Sequence, residues 1–119
     1  DLYPTLLALA GLPVLPEQHV DGVSLATALT DGAAVRDTLY WHFPHYHGSG
    51  NRPGGAIRAG DLKLVEWFED GSVELYDLAT DLSEDQDLAT ERPEDTQRLL
   101  DRLHVWRDEV GANMPAARN

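Results

Sequence analysis

Cysteine is absent from this 119-residue sequence, and basic residues are few. Without thiols the chain has no disulfide bond, no zinc–thiolate site and no cysteine nucleophile, while the cellular compartment stays open. Its 21 acidic residues outnumber 9 lysines and arginines, which gives a formal net charge of -12. Such a surface repels nucleic acid and anionic membranes, so we expect neither as a partner.

Long hydrophobic runs and a signal-peptide pattern are also absent, which argues against a membrane-spanning segment. The apolar residues, 42% of the sequence, are enough for one modest core. The sequence begins with Asp1 instead of methionine. We therefore expect one globular piece of a longer protein.

The first 36 residues predict one short helix followed by a connector. Asp1 can cap a helix in "DLYPTLLALAGLP", and Gly11 ends it. Leu2, Leu6 and Leu9 share one face of this helix, which has few polar residues elsewhere. Because a helix that is apolar on most sides is normally covered by other structure, we expect a missing neighbour.

Strands are predicted from residue 38 onwards. The segment "TLYWHF" is aromatic and β-branched, and "GAIRAGDLKLVEW" divides at Gly60 and Asp61 into the two arms of a hairpin. Asp70 and Gly71 form another tight-turn signal before a strand over residues 72–78. Since the turns are short, consecutive strands should be neighbours, which predicts an antiparallel meander of three to four strands.

The last predicted element is a long helix with Arg107 in its last turn and Gly111 at its end. An apolar stripe recurs on it at helical spacing, formed by Leu99, Leu103, Trp106 and Val110. The stripe should cover one face of the sheet. We thus predict an α+β fold, a small antiparallel sheet packed against a long C-terminal helix and preceded by a short N-terminal helix. Residues 77–95 are predicted to be an acidic, solvated connector with a short helical turn.

Three histidines lie in "YWHFPHYHGSGN", residues 40–51. Metal ligands on one face of a strand need i, i+2 spacing, which His45 and His47 have and His42 lacks, and Pro44 interrupts the strand before them. With no cysteine available, this pattern favours a structural or ligand-binding loop over a metal site. We predict no metal ligand in the chain.

The same region is the one locally positive part of the sequence. Between Trp41 and Val65 the only acidic residue is Asp61, whereas three cations join the histidines: Arg52, Arg58 and Lys63. Glycines in the loop would let the backbone approach a ligand closely. The combination suits a sulfate, phosphate or carboxylate group, although outward-facing cations are also ordinary on strands.

The order of the segments resembles the C-terminal end of arylsulfatase-type sulfatases, nearly from Asp1 to Pro115. The segments are "DLYPTLLALAGLP", "DGVSL", "LYWHFPHY", "AIRAGDLKLVEWFEDGSVELYDLATDLSEDQDLA" and "WRDEVGANMP". The most specific of them is "ELYDL" followed, after an acidic gap, by "DLA". "DLYPTL" is the second most specific.

The resemblance implies a fragment of a larger α/β sulfatase of the alkaline-phosphatase-like superfamily. In that family an N-terminal catalytic domain holds calcium and a formylglycine made from cysteine or serine, whose hydrate attacks the sulfur of a sulfate ester. We expect that this domain precedes the present sequence in the longer protein. The motif that is converted to formylglycine does not occur in this sequence. We therefore expect no catalytic residue and no cofactor in this piece, and no sulfuric ester hydrolase activity from it alone.

The resemblance also assigns the two parts of the chain. Residues 1–36 would be the end of the catalytic domain, and residues 37–119 a C-terminal subdomain that shapes the substrate cleft. By analogy, His42, His45, His47 and Arg58 are candidate contacts to a sulfated carbohydrate or another sulfate ester. Related phosphonate and phosphodiester hydrolases share this architecture, and a periplasmic or secreted location is compatible with the family.

Two other interpretations stay open. One is a free-standing module that binds an anionic glycan with the positive region and with the stacking surfaces of Tyr40, Trp41 and Tyr46. The other is a histidine metal module.

Overall fold

A computed structural model describes residues 1–48 and 50–115. Ser49, in the predicted histidine loop, and residues 116–119, at the end of the second predicted domain, lie outside the described residues. The chain divides into two compact units, Asp1–Asp37 and Thr38–Asn119. That the first part belongs to the end of a catalytic domain stays a prediction.

The first unit contains helix α1 (Leu2–Leu9), a 3₁₀ turn (Pro16–Gln18) and helix α2 (Ala26–Asp31). Asp1 stands at the N-cap position of α1, but its carboxylate does not cap the helix. Instead it accepts hydrogen bonds from the backbone N–H of Val23 at 2.9 Å and from Arg36 at 2.6 Å. The predicted N-cap position of Asp1 is confirmed, while its carboxylate binds the segment that follows the 3₁₀ turn.

The second unit contains a sheet of four strands, β1 (Thr38–Phe43), β2 (Gly54–Ala59), β3 (Leu62–Trp67) and β4 (Val73–Asp77). Their order in the sheet is the order in the chain, and every neighbouring pair is antiparallel. Ala59 pairs with Leu62 around the predicted Gly60–Asp61 turn. The predicted meander is confirmed.

Helix α3 (Pro93–Glu109) follows the sheet. Pro93 occupies its first turn, where a missing N–H costs no helical hydrogen bond. At the other end Gly111 adopts a left-handed φ of 61°, and the N–H of Ala112 bonds to the carbonyl of Arg107 at 3.0 Å. This is the Schellman geometry that satisfies the last helical carbonyls, so the predicted glycine stop is confirmed.

The core lies between α3 and one face of the sheet. It consists of one residue from each of three strands and two from the helix, all at most 1% exposed: Ile57, Leu64, Leu75, Leu99 and Leu103. Tyr40 stacks on Trp106 beside them, with ring centroids 4.7 Å apart. Val110 does not join the stripe as predicted, because it is the C-cap residue and is 56% exposed. The sheet-plus-helix fold is confirmed.

The acidic connector between β4 and α3 uses its carboxylates to bind backbone. Asp81 accepts hydrogen bonds from the N–H groups of Asp85 and Gln86, and Asp87 accepts one from Leu75 on β4 at 3.0 Å. Leu75 also accepts a backbone bond from Leu88. The connector therefore runs along the outer edge of β4 and satisfies backbone groups that would otherwise be unpaired.

Candidate functional site

The sheet has two faces of different character. Residues paired across antiparallel strands point to the same face, so the register separates the helix-covered side from the opposite one. We call the opposite side the open face; it carries Leu39, Trp41, Phe43, Gly54, Ala56, Arg58, Lys63, Val65, Trp67, Glu74 and Tyr76. A groove of about 580 Å³ lies on it, bordered also by the loop after β1 and by the connector after β4.

His42 lies on the helix-covered side of β1. Its Nε2 is 2.8 Å from the carbonyl oxygen of Asn113, beyond the end of α3. Its Nδ1 is buried and has no hydrogen-bond partner in the described part of the chain, and its ring is 5.4 Å from that of Phe68. The imidazole thus connects the start of the histidine loop to the segment after α3.

His45 and His47 lie in the loop between β1 and β2, residues 44–53, and both are exposed. The His45 ring meets Phe43 edge to face, with centroids 5.8 Å apart. The carbonyl of His47 accepts a hydrogen bond from the N–H of Gly50, which closes a turn. Of the three histidines in residues 40–51, His45 and His47 are therefore the two that are exposed to solvent.

The loop is held in place by an ionic network at its C-terminal end. Arg52 donates to Glu69 at 2.6 Å and to Asp70 at 2.9 Å, and its guanidinium lies 4.9 Å from the centroid of the Trp67 ring. The Tyr46 hydroxyl also donates to Glu69, at 2.6 Å. These bonds from Tyr46 and Arg52 hold the pKa of Glu69 below its usual value. Both Tyr46 and Arg52 therefore fix the loop to the β3–β4 turn.

Two cations stand directly opposite each other on the open face. Arg58 on β2 pairs in register with Lys63 on β3. Lys63 donates to Glu84 of the connector at 2.6 Å, whereas Arg58 donates from Nε to the carbonyl of Gly60 at 3.0 Å. Within residues 1–48 and 50–115, Arg58 forms no ion pair with a carboxylate.

The structure does not bring the four candidate site residues together. His42 and Arg58 belong to opposite faces of the sheet, and His45 and His47 lie in the loop beyond β1. The expected positive region is also largely neutralised. Two of its three cations, Arg52 and Lys63, form ion pairs with carboxylates that are distant in sequence, because the β3–β4 turn and the connector fold back onto this region. Arg58 is the exception.

A buried ion pair on the helix-covered side was not predicted. Glu66 of β3 accepts hydrogen bonds from Arg107 at 2.8 Å and from His104 at 2.9 Å. The Arg107 guanidinium also lies 5.3 Å from the centroid of the Phe68 ring. A signal was present, since Glu66 lies two residues after Leu64 and four after Leu62 on β3, and so had to share their helix-covered face. A carboxylate there requires a cation from the helix.

Among the residues that the structure describes, no group of three or more histidine or acidic side chains could hold a metal ion. These residues do not fit the calcium site of the family, and nothing that follows depends on a metal in this chain. No helix in the described ranges is both long enough and apolar enough to span a bilayer.

Comparison with known proteins identifies the family. The family described as N-sulphoglucosamine sulphohydrolase, C-terminal, matches residues 1–109. A sulfatase of Formosa agariphila is 42% identical over an alignment of 123 positions, and the alignment covers 89% of this chain and 22% of the relative. Arylsulfatase K of Mus musculus is 33% identical over an alignment of 111 positions that covers 87% of this chain and 20% of the relative.

Solved structures show the same fold. BT4656 in complex with its substrate D-glucosamine-2-N,6-O-disulfate matches with a TM-score of 0.75 at 25% identity, over 100% of this chain and 25% of that one. BT1596, a 2-O GAG sulfatase, matches with a TM-score of 0.67 at 27% identity, over 93% of this chain and 24% of that one.

The chain belongs to the N-sulphoglucosamine sulphohydrolase C-terminal family, and it is a sulfatase C-terminal domain. The resemblance that the sequence motifs indicate is confirmed. The chain spans 22% and 20% of the length of the two relatives named above.

Proposed function

We propose that this chain is the C-terminal subdomain of a sulfuric ester hydrolase whose larger N-terminal part carries out the reaction. The observation that carries the proposal is the family match over residues 1–109, together with sulfatase relatives of about five times the length. Calcium and formylglycine belong to the N-terminal part in this proposal. The subdomain contributes to the substrate cleft and does not hydrolyse the ester alone.

The substrate that we propose is a sulfated carbohydrate. Two similar solved structures are a complex with D-glucosamine-2-N,6-O-disulfate and a 2-O GAG sulfatase. Both support the proposal by analogy. The chemistry of a sulfate group on a sugar also matches what imidazole N–H donors can bind.

Within the cleft, we assign substrate contact to His45 and His47. Both are exposed in a loop whose two ends are fixed, at β1 by the strand and at Arg52 by Glu69 and Asp70. An exposed pair of imidazoles on a loop with fixed ends can donate hydrogen bonds to sulfate or hydroxyl oxygens at little entropic cost. His42 has a supporting role in this proposal, because it lies on β1 on the helix-covered side of the sheet, outside the exposed part of the loop.

The test uses the full-length protein and, in parallel, the 119-residue chain. We expect the full-length protein to release sulfate from a sulfated amino sugar or an aryl sulfate in the presence of calcium, and the short chain to release none. Turnover by the short chain would overturn the proposal. Faster hydrolysis of matched phosphonate or phosphodiester compounds would assign the protein to the related hydrolases instead.

The role of the loop is tested by the double variant His45→Ala, His47→Ala in the full-length protein. We expect KM for the sulfated sugar to rise by about tenfold or more, which corresponds to one or two lost hydrogen bonds to a charged group. Gln97→Ala, on the exposed side of α3, is the control and should leave KM unchanged. An unchanged KM in the double variant removes the loop from the cleft. Tight glycan binding by the short chain without any sulfatase activity in the full-length protein would favour the free-standing binding module.

A further inference from the structure

One carboxylate of the β3–β4 turn holds the histidine loop, residues 44–53, at two points. Oε1 of Glu69 accepts a hydrogen bond from the hydroxyl of Tyr46 at 2.6 Å, and Oε2 accepts one from Nε of Arg52 at 2.6 Å. Tyr46 is the residue between His45 and His47, the two imidazoles to which substrate contact is assigned above. The bond to Tyr46 therefore acts on the part of the loop that carries them.

The turn that bears Glu69 is itself held by hydrogen bonds. Gly71 adopts a left-handed φ of 68°, and its N–H bonds to the carbonyl of Trp67 at 2.9 Å. The N–H of Trp67 bonds in turn to the carbonyl of Ser72 at 2.9 Å. Asp70 accepts bonds from the N–H and the hydroxyl of Ser72, at 3.0 Å and 2.6 Å. A side chain on such a turn is a firm attachment point for a neighbouring loop.

The histidine loop gains from this attachment because glycines make its backbone adaptable. Gly48 and Gly50 lie in it, and Gly50 has a φ of 89°. Fixing the backbone of one residue costs about 1–2 kcal/mol, and a loop that is ordered before the substrate arrives avoids this cost on binding. One exposed ion pair contributes little. Here, however, both bonds to Glu69 and the contact of the Arg52 guanidinium with the Trp67 ring act on the same loop.

We infer that Glu69 is a positioning residue: through its two bonds to the loop it holds His45 and His47 where they meet the sulfated substrate. The inference rests on the function proposed above. Glu69 does not contact the substrate in this arrangement, and its effect is on the order of the loop before binding. It therefore changes KM, whereas kcat is governed by the N-terminal part of the longer protein.

The charge of Glu69 separates positioning from simple electrostatics, because the two effects have opposite signs. The bonds from Tyr46 and Arg52 lower the pKa of Glu69, so its carboxylate is ionised at neutral pH. Its side chain is 37% exposed and carries the same sign of charge as a sulfate group. If only this charge mattered, removing it would favour an anionic substrate and lower KM. If Glu69 positions the loop, removing it raises KM in spite of the lost repulsion.

The first test is the kinetics of Glu69→Ala in the full-length protein with a sulfated amino sugar as substrate. We expect KM to rise by about fivefold to tenfold and kcat to change by less than about twofold, because only the binding step has to order the loop. Glu69→Gln retains an oxygen that accepts from the Tyr46 hydroxyl, so its KM should lie between those of the wild type and Glu69→Ala. An unchanged or lowered KM for Glu69→Ala would overturn the inference, and so would a loss confined to kcat.

Asp95→Ala is the matched control. Asp95 lies in the first turn of α3 and, like Glu69, is a carboxylate bonded to two side chains, here those of Arg92 and Arg98. Its removal changes the net charge by the same amount and also breaks two bonds. We expect KM to be unchanged. A rise equal to that of Glu69→Ala would show a general effect of destabilisation and overturn the inference.

The second test introduces Glu69→Ala into the double variant His45→Ala, His47→Ala. Because the residues that Glu69 positions are then absent, we expect KM to differ from that of the double variant by less than about twofold. A further rise as large as the one in the wild-type background would mean that Glu69 acts on the substrate by another route. That result would overturn the inference.

The third test does not depend on activity. Amide hydrogen exchange over residues 44–53 of the full-length protein should be about tenfold faster in Glu69→Ala, and Asp95→Ala should exchange like the wild type. Unchanged exchange in Glu69→Ala would overturn the inference and leave the proposed function intact. An unchanged KM in the double histidine variant would instead reject the proposed contact, and the role of Glu69 toward the substrate would fall with it. Faster exchange would in that case retain Glu69 only as the residue that holds the loop.

Discussion

Arg107 of α3 donates a hydrogen bond from Nη1 to Oε2 of Glu66 on β3 at 2.8 Å, and their side chains are only 10% and 13% exposed. This ion pair joins the helix to the sheet beside the apolar core. His104 also contacts Glu66, so the carboxylate is shared by two residues of one helix.

Arg107→Leu should destabilise the fold by about 3–5 kcal/mol, because it leaves Glu66 buried without its main cation. Urea unfolding of the two proteins measures the difference. Arg98→Leu is the control, since Arg98 pairs with Asp95 at the surface and should cost less than about 1 kcal/mol. The double variant Glu66→Leu, Arg107→Leu should recover part of the loss. An Arg107 variant as stable as the control would show that the pair contributes nothing.

Glu84 combines an ion pair with an unfavourable backbone conformation, a φ of 60°. Glu84→Ala removes the bond to Lys63 and retains the left-handed backbone, while Glu84→Gly removes both. We expect the glycine variant to be more stable than the alanine variant by about 1 kcal/mol in thermal unfolding. At Ser83, which has no positive φ, the order of alanine and glycine should be reversed. A more stable alanine variant at position 84 would contradict the strained backbone.

Asp70 makes the free energy of unfolding depend on pH in the acidic range. Hydrogen bonds from the hydroxyl and the N–H of Ser72 lower the pKa of Asp70 from 3.8 to about 2. Because its pKa is lower in the folded state than in the unfolded state, the ionised Asp70 carboxylate stabilises the fold above about pH 3.8. That stabilisation is lost as the pH falls towards about 2. The stability difference between the wild type and Asp70→Asn should therefore shrink over this interval in urea unfolding. A difference that is constant with pH would refute the shift.

Helix α1 should be less protected from hydrogen exchange than the central strands of the sheet. Leu2 is 76% exposed and Leu6 64%, so few apolar contacts oppose the opening of this helix in the 119-residue chain. Exchange measured by mass spectrometry should be fast over residues 2–9 and slow over β2 and β3. Strong protection of α1 in the short chain would argue against the expectation that it requires a neighbouring domain.

The sheet and the helix α3 could be predicted because their signals are local. The turn at Gly60 and Asp61, the alternation of β3 and the apolar spacing of α3 are each contained in a few adjacent residues. The prediction that Val110 packs on the sheet is wrong, since a periodic pattern does not specify the residue at which the helix stops contacting the sheet.

The candidate site was less predictable, because it depends on which residues meet across the fold. The resemblance grouped His42 with Arg58 as candidate substrate contacts, yet the strand alternation places them on opposite faces. The charge pattern also indicated that Arg52 and Lys63 were available for an anion. Their carboxylate partners come from the β3–β4 turn and from the connector, and no local pattern indicates those pairings.

By itself the sequence determined the class of fold and, through its ordered motifs, the sulfatase family, because turn residues, strand alternation and helical spacing act over short separations. Only the tertiary structure decided that Glu66 meets Arg107, that Glu84 neutralises Lys63 and that Arg58 stays unpaired on the open face within the described ranges. The physical reason is that electrostatic energy depends on distances in space, and those distances exist only after the strands, the connector and the helix have packed.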